Sequence, residues 1–238
     1  RSRASISFSG RLPLDEHNLI YKAAKIFFEE VGQAFGVHVF LEKRIPIAAG
    51  MAGGSTDAAA AFEALNELAG CPFSQEKLMK IAVRVGADVP YCVMGGTALA
   101  EGIGEKLTPL APAPDCYVLV AKPDINVSTK YVYEHLDAQE IVKHPDIDGM
   151  VEAITEESLQ GILDRMENVL ETVTVSAYPV IQTIKDRMKE LGAINSLMSG
   201  SGPTVFGIFV EKDMARRAYD KLEEEQLAKQ IFLTEFCE

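Results

Sequence analysis

Apolar residues in the first half of the chain recur every three or four positions, which is the spacing of one buried helical face. This spacing predicts a helix over 18–35 that is closed by Gly36, and a second helix after residue 57 that is closed by Gly70. Ser74 is the predicted N-cap of a third helix that runs to residue 85. Apolar runs around these helices predict strands at 4–9, 37–41 and 97–100.

The second half of the chain has a different order of elements. Strands are predicted at 117–121, 194–198, 204–210 and 231–236, and helices at 178–191 and 213–226. Their order is β-α-β-β-α-β, the split pattern of ferredoxin-like domains, with additional helices predicted at 129–136, 148–157 and 158–172. The Ala111-Pro112-Ala113-Pro114 stretch marks the predicted boundary. The sequence therefore predicts an α+β fold with two domains, 1–113 and 114–238.

Composition narrows the class of protein. The chain has 238 residues, of which 47% are hydrophobic and 24% are charged, so it is neither disordered nor collagenous. Its net charge of -12 argues against nucleic-acid and anionic-membrane partners, because phosphate binding there depends on clustered Lys and Arg. Scattered cysteines, the absence of a run of 18 apolar residues and the absence of a signal peptide predict a cytoplasmic protein with reduced thiols.

A glycine-rich loop at 45–57 is the strongest chemical signal. Glycines let the backbone approach a ligand closely, and the helix behind them presents unpaired N–H groups and the positive end of its dipole. Such a helix start binds anions without basic side chains, which suits an acidic protein that handles a phosphate. Gly54 precedes Ser55 where a Walker A sequence has lysine, and the loop is not GxGxxG either. The alternative is an ordinary loop in which Ser55 is the N-cap of the next helix.

Asp88 is the candidate catalytic carboxylate. It lies in Gly86-Ala87-Asp88-Val89-Pro90, just past a predicted helix end. A carboxylate fixed beside a phosphate site can accept or orient a hydroxyl proton during phosphoryl transfer. The alternative is an Asx-turn, in which the carboxylate binds nearby backbone amides.

A second turn rich in small residues, Ser199-Gly200-Ser201-Gly202-Pro203-Thr204, joins two predicted strands. An ordinary hairpin connection of this length is common. Two glycines and two serines exceed what a connection needs, so the turn is a candidate for a second ligand-facing backbone surface.

Together these motifs resemble the GHMP kinase superfamily, in order and in spacing. The matching segments are Pro46-x-x-x-Gly50-x-x-Gly53-Gly54-Ser55-x-Asp57-Ala58, Gly86-Ala87-Asp88-Val89-Pro90 and the turn at 199–204. The resemblance covers nearly the whole chain. It implies a two-domain GHMP kinase fold with an incomplete N-terminal domain and a ferredoxin-like C-terminal domain. It also implies an ATP-dependent, Mg²⁺-using kinase that phosphorylates the 2-hydroxyl of a cytidine-diphosphate-linked sugar alcohol for isoprenoid precursors.

The resemblance assigns roles to individual residues. Asp88 acts as the base or orienting group, while Asn18 and Lys43 lie near the adenine. Tyr133 stacks on the cytosine, with a helix aromatic packed onto the sheet as the alternative. Gly200, Ser201 and Gly202 contact substrate, and no metal ligands are assigned, although Ser55 or Thr56 is placed to touch Mg²⁺ or phosphate. The residues assigned to the ATP phosphates are Pro46, Ala48, Ala49, Gly50, Met51, Ala52, Gly53, Gly54, Ser55 and Thr56.

One family motif has no counterpart here: an N-terminal segment with a catalytic lysine and a tyrosine–histidine pair that helps hold the cytidine. We therefore expect these 238 residues alone to bind nucleotide poorly and not to turn over, which a measurable kcat would refute. The alternatives are another GHMP small-molecule kinase, of the homoserine or mevalonate type, and a non-catalytic nucleotide-binding module if the native protein lacks that lysine. The oligomeric state is left open.

Overall fold

A computed structural model of the chain describes residues 6–9, 15–32, 35–136 and 144–236. Two compact units are defined by internal contacts. The first comprises Arg1–Ile47 and Ala52–Pro109, and the second comprises Ala48–Met51 and Leu110–Glu238. This division falls just before the Ala111–Pro114 stretch; the boundary at 113/114 stays a prediction.

Helices predominate in the first unit. Its elements are β1 (Ile6–Ser9), α1 (Leu19–Val31), β2 (Val37–Phe40), α2 (Gly53–Leu68), α3 (Gln75–Ala82), α4 (Val89–Met94), β3 (Ala98–Glu101) and β4 (Lys106–Pro109). Strand β1 pairs with β2 in parallel, and β3 pairs with β4 in an antiparallel hairpin. Buried residues of α1, α2, α3 and α4 form one apolar core around Phe27 and Phe62, which packs α2 against its neighbours.

Two predictions for this unit need correction. Helix α1 ends at Val31 rather than near residue 35, because Gly32 adopts the left-handed conformation (φ 66°) and its amide binds the Phe28 carbonyl. Residues 33–34 of the predicted helix lie outside the described residues. Helix α2 begins at Gly53, so the alternative with Ser55 as N-cap is wrong, and Ala52 occupies that position.

Other predictions for this unit are confirmed at the level of elements. Ser74 is the N-cap of α3, and its side chain accepts a hydrogen bond from the Lys77 amide at 3.3 Å. Helix α4, Val89–Met94, is a short helix that was not among the predicted elements. Pro90 in the first turn of α4 suits a helix start, because a first-turn residue needs no N–H for the helix.

The second unit contains a four-stranded sheet covered by helices. Its elements are β5 (Tyr117–Lys122), α5 (Thr129–His135), α6 (Ile147–Thr155), α7 (Leu159–Asp164), α8 (Glu171–Ala177), α9 (Val180–Glu190), β6 (Asn195–Met198), β7 (Val205–Phe209), α10 (Lys212–Glu224) and β8 (Gln230–Glu235). The strand order is β6-β7-β5-β8 and all three pairings are antiparallel. This order confirms the predicted ferredoxin-like arrangement.

Central strand β5 is buried on both faces. Leu119 and Ala121 pack in the core formed with α9 and α10, whereas Val118 and Val120 belong to a second cluster. Such burial on two faces explains the continuous apolar run that predicted this strand.

The single helix predicted at 158–172 is wrong. Two helices, α7 and α8, occupy this region, and the chain between them is not helical. In that gap the Asn168 side chain accepts a hydrogen bond from the Leu170 amide at 3.0 Å. Such local side-chain bonds replace helical backbone bonds, which explains the break.

Candidate active site

The glycine-rich loop has an unusual backbone. Ala48, Gly50 and Ala52 all have positive φ angles, of 51°, 69° and 48°. L-residues other than glycine adopt this conformation rarely, and such strained positions cluster at ligand-binding sites. When residues with positive φ alternate with residues in the usual right-handed conformation, successive N–H groups point toward a common side. Proteins bind anions with this backbone geometry.

The start of α2 presents free donors. The amides of Gly53, Gly54 and Ser55 donate to no other described residue, whereas the Thr56 amide binds the Ala52 carbonyl at 2.9 Å. Because α2 is 16 residues long, its aligned peptide dipoles favour a negative group at this end. Unbonded amides at a helix start are the arrangement that can bind an anion; that an anion binds here stays a prediction.

Lys43 and Asp57 form an ion pair at the first turn of α2. The Lys43 Nζ lies 2.5 Å from an Asp57 carboxylate oxygen and 2.6 Å from the Gly53 carbonyl oxygen, and both side chains are largely buried. A Cβ on Gly53 would lie 2.6 Å from the Ile45 Cγ2, so only glycine fits there. The pair neutralises a carboxylate that would otherwise oppose an anion at this helix end.

The two residues predicted near the adenine have observed roles. The buried Asn18 is the N-cap of α1, and its side-chain oxygen accepts the Ile20 amide at 2.9 Å. The Lys43 ammonium binds the first turn of α2 as described. Their proximity to adenine stays a prediction.

Asp88 occupies the N-cap position of α4 and is exposed. Its carboxylate makes no capping bond, and no other described residue forms a hydrogen bond or ion pair with it. The Asx-turn alternative is therefore not observed. A carboxylate fixed on a helix start but left without a partner remains available to a ligand.

Helices α2 and α4 meet through their first turns. The Thr56 hydroxyl lies 3.7 Å from the Cys92 thiol, and these are the fourth residues of α2 and α4. Burial raises the pKa of the Cys92 thiol, and the negative charge of Asp88 raises it further. Asp88 is four residues, or about one helical turn, before Cys92, which is about 6 Å along the axis. The start of α4, which carries the predicted carboxylate Asp88, therefore lies close to the start of α2, the predicted phosphate site, within the first unit.

The turn at 199–204 contacts the glycine loop within the second unit. The Ser199 hydroxyl donates to the Gly50 carbonyl at 2.7 Å. A Cβ on Gly50 would lie 2.5 Å from the Ser199 carbonyl oxygen and 3.0 Å from that of Gly202. Two of the predicted motifs are therefore in direct contact, and glycine at position 50 makes the contact possible.

Helix α5 adjoins the same turn. The Thr129 and Ser201 hydroxyls are 2.8 Å apart, which ties the start of α5 to the turn. Tyr133 lies one helical turn further along and is 61% exposed, so the alternative in which it packs onto the sheet is wrong. Tyr131 and His135 stack on each other at 4.0 Å between ring centroids.

Neither a metal cluster nor a membrane span is found in the described part of the chain. No group of three or more His, Cys, Asp or Glu side chains in it could hold a metal ion. Likewise, none of the described helices is long and apolar enough to cross a bilayer.

Sequence reasoning did not single out three polar residues that bind the backbone of the turn: Asn168, Glu171 and Thr174. Their spacing resembles that of an ordinary polar helix face, so no sequence signal marked them. Cys92 was also passed over, because a lone cysteine carries no pattern.

Comparison with known families places the chain. Residues 18–96 match the model of the GHMP kinases N terminal domain, and residues 139–229 match that of the GHMP kinases C terminal domain. The chain therefore belongs to the GHMP kinases, ATP-dependent enzymes that phosphorylate small molecules.

Within this family, similar curated proteins carry the name 4-diphosphocytidyl-2-C-methyl-D-erythritol kinase. The protein from Lachnoclostridium phytofermentans is 53% identical over 95% of this chain and 78% of its own length. The one from Caldicellulosiruptor saccharolyticus is 48% identical over 97% of this chain and 79% of its own length.

Solved structures agree with this placement. A crystal structure of 4-(cytidine 5'-diphospho)-2C-methyl-D-erythritol kinase is 34% identical and matches with a TM-score of 0.82, covering 98% of this chain and 82% of its own. Homoserine kinase from Cytophaga hutchinsonii has the same TM-score and similar coverage (99% and 82%) but is only 21% identical, which supports the fold alone.

Proposed function

We propose that the protein transfers the γ-phosphoryl group of ATP to the 2-hydroxyl of 4-diphosphocytidyl-2-C-methyl-D-erythritol, a step in the synthesis of isoprenoid precursors. One observation supports this above all. Within the first unit, three unbonded amides at the start of α2 lie beside the start of α4, which carries the Asp88 carboxylate, and no described residue pairs with that carboxylate. The identity to relatives of that name, 53% in the case already given, favours this acceptor over homoserine and mevalonate.

The triphosphate is the anion for which the loop is suited. The amides of Gly53, Gly54 and Ser55 would donate to phosphate oxygens, and the α2 dipole would favour their charge. Since Lys43 neutralises Asp57, no unpaired carboxylate of α2's first turn opposes the nucleotide. Bound ATP supplies the phosphoryl group.

Magnesium fits the site in a limited way. Mg²⁺ commonly keeps several waters and is held mainly by substrate phosphates with one or two protein oxygens. The described residues offer no cluster of ligands, but the Ser55 and Thr56 hydroxyls lie in the first turn of α2. These hydroxyls are the oxygens that would hold the ion against the phosphates.

Asp88 supplies the acid–base chemistry in this proposal. Its carboxylate accepts a hydrogen bond from the acceptor hydroxyl, orients it toward the phosphoryl group and takes its proton as the new P–O bond forms. Transfer is direct, without a covalent phosphoenzyme. Most of the acceleration then comes from positioning and from fixed dipoles.

The cytidine end of the acceptor calls for a flat, accessible side chain. Tyr133 is aromatic and largely exposed, and stacking on a base contributes about 1–3 kcal/mol. In the turn, Gly200 is exposed whereas Ser201 and Gly202 are buried. Contact of these three residues with the substrate is part of this proposal. We also propose that the enzyme acts in the cytoplasm.

A comparison of acceptors tests this function. The native enzyme is incubated with ATP and, separately, with 4-diphosphocytidyl-2-C-methyl-D-erythritol, homoserine or mevalonate, and the products are followed by ³¹P NMR. We expect a new phosphomonoester at the 2-position of the first alcohol only. Phosphorylation of either other alcohol at a higher kcat/KM would replace this function with that of another GHMP kinase. Binding of ATP with transfer to none of the three would favour a non-catalytic module.

A further inference from the structure

Asn168 fixes the backbone of the Ser199–Gly202 turn. Its side-chain amide donates to the Met198 carbonyl at 2.9 Å and to the Gly200 carbonyl at 2.8 Å. The other end of the amide accepts the Leu170 N–H at 3.0 Å, so the donor end is oriented toward the turn. A single side chain thus binds carbonyls on both sides of Ser199.

Glu171 binds the same turn at its entry. One carboxylate oxygen accepts the Met198 amide at 2.7 Å, and the other lies 2.5 Å from the Lys185 Nζ. Both members of this ion pair are largely buried, with side chains 18% and 10% exposed. Separation of this buried ion pair would leave an uncompensated charge, which is strongly unfavourable. The Glu171 carboxylate is therefore held in one position.

Thr174 binds the turn from the next turn of α8. Its hydroxyl donates to the Ser201 carbonyl at 3.2 Å, and the residue is fully buried. Asn168, Glu171 and Thr174 therefore bind the backbone at residues 198, 200 and 201. We refer to these three residues as the clamp.

The clamped turn supports the glycine loop. The Ser199 hydroxyl donates to the Gly50 carbonyl at 2.7 Å. The Ser199 and Gly202 carbonyl oxygens lie so close to Gly50 that an added Cβ would overlap with them. All of these residues belong to the second unit. Any shift of the turn would move the surface on which the left-handed Gly50 rests.

We propose that Asn168, Glu171 and Thr174 are positioning residues that act through the Ser199–Gly202 turn to hold the glycine loop in its nucleotide-binding conformation. The proposal rests on the proposed function in that the loop binds ATP. The clamp touches no ligand itself. It keeps the strained loop populated, and apparent affinity falls in proportion to that population.

Asn168→Asp is the first test, because it keeps the acceptor for Leu170 but turns a donor into a carboxylate that faces two carbonyls. Asn195→Asp is the matched control. Asn195 also accepts a local amide, from Ser196 at 2.8 Å, and donates to a carbonyl, that of Leu163 at 2.7 Å, away from the turn. Thermal unfolding of both variants shows how far each change affects stability alone.

Two readouts are measured on the native protein. The first is hydrogen exchange of the amides at 49–53 without ligand, and the second is the dissociation constant of methylanthraniloyl-ADP, a fluorescent nucleotide. For Asn168→Asp we expect faster exchange and an affinity about tenfold lower, which corresponds to about 1.4 kcal/mol. For Asn195→Asp we expect both values to stay within about twofold of the wild type.

A second pair of variants separates the hydroxyl of Thr174 from its packing. Thr174→Val removes the donor at nearly constant volume, and Thr174→Ser keeps it. We expect Val to weaken nucleotide binding and Ser to retain it, with kcat at saturating ATP changed less than KM.

The outcomes are distinguishable. Unchanged hydrogen exchange at 49–53 in Asn168→Asp overturns the inference, and so does faster exchange with unchanged nucleotide affinity. A loss of nucleotide affinity in Asn195→Asp that equals the loss in Asn168→Asp overturns it as well. A wild-type protein that binds no nucleotide, combined with faster loop exchange in Asn168→Asp, supports the positioning of the loop but overturns the proposed function.

Discussion

Gly50→Ala perturbs the proposed nucleotide site at one defined point. The backbone there has φ 69°, and a new Cβ would lie 2.5 Å from the Ser199 carbonyl oxygen and 3.0 Å from that of Gly202. The left-handed conformation costs an L-residue about 1–2 kcal/mol. Displacement of the loop also removes the Ser199 hydrogen bond, which contributes about 1 kcal/mol. Together these terms disfavour the native loop by about 2–3 kcal/mol.

A penalty of this size lowers the ratio of competent to displaced loop by a factor of about 30–150, since 1.4 kcal/mol corresponds to tenfold. We therefore expect Gly50→Ala to raise the dissociation constant of methylanthraniloyl-ADP at least about tenfold. The dissociation constant is measured by fluorescence titration of the Gly50→Ala variant of the native protein. Thermal unfolding of the same variant shows its stability.

Gly32→Ala is the matched control. Gly32 has nearly the same backbone conformation, φ 66°, but no atom of the described residues lies within 4 Å of the position that a Cβ would take there. This variant carries the conformational cost alone, so we expect a loss of about 1 kcal/mol in the free energy of unfolding and unchanged nucleotide affinity. Wild-type affinity in Gly50→Ala, or equal losses of affinity in the two variants, would refute the reasoning.

Two further predictions concern the start of α2 and its neighbour. Lys43→Met should weaken ATP binding, because it leaves the Asp57 charge without its partner. Adding Asp57→Asn to the same chain should restore most of the lost ATP affinity. If Lys43 instead binds adenine directly, titration of the double variant with ATP will show no recovery of affinity. Burial and the charge of Asp88 raise the pKa of the Cys92 thiol, so at neutral pH iodoacetamide should alkylate Cys92 more slowly than the exposed Cys71. The rate at Cys92 should increase as the pH rises toward the raised pKa. Peptide mass spectrometry that finds Cys92 modified first would contradict this prediction.

Local signals made much of the fold predictable. Ser74 was recognisable as a helix cap because capping depends on one side chain and the amides next to it. The β-α-β-β-α-β order of the second unit followed from apolar runs and helical spacing, which short-range patterns record well. The motifs at 50–58 and 86–90 made the candidate site predictable, because their glycines and prolines occur where the backbone needs a particular conformation.

Other features depend on distant contacts and had no local signal. Helix α2 starts at Gly53 because Ala52 adopts a left-handed conformation that alanine rarely takes alone. The helix predicted over 158–172 is interrupted where Asn168 binds the carbonyls of Met198 and Gly200, which are distant in sequence. The role of Glu171 is likewise invisible in sequence, because a buried carboxylate on α8 has the same residue pattern as an exposed one.

The most direct test of the account is the rate of phosphoryl transfer in Asp88→Asn, measured on the native enzyme with ATP and 4-diphosphocytidyl-2-C-methyl-D-erythritol. The asparagine keeps the shape of the side chain but cannot take a proton. We predict that kcat falls by about 10²–10⁴-fold while the dissociation constant for nucleotide stays near the wild-type value. A wild-type kcat in this variant would contradict the assignment of Asp88 as the acid–base group.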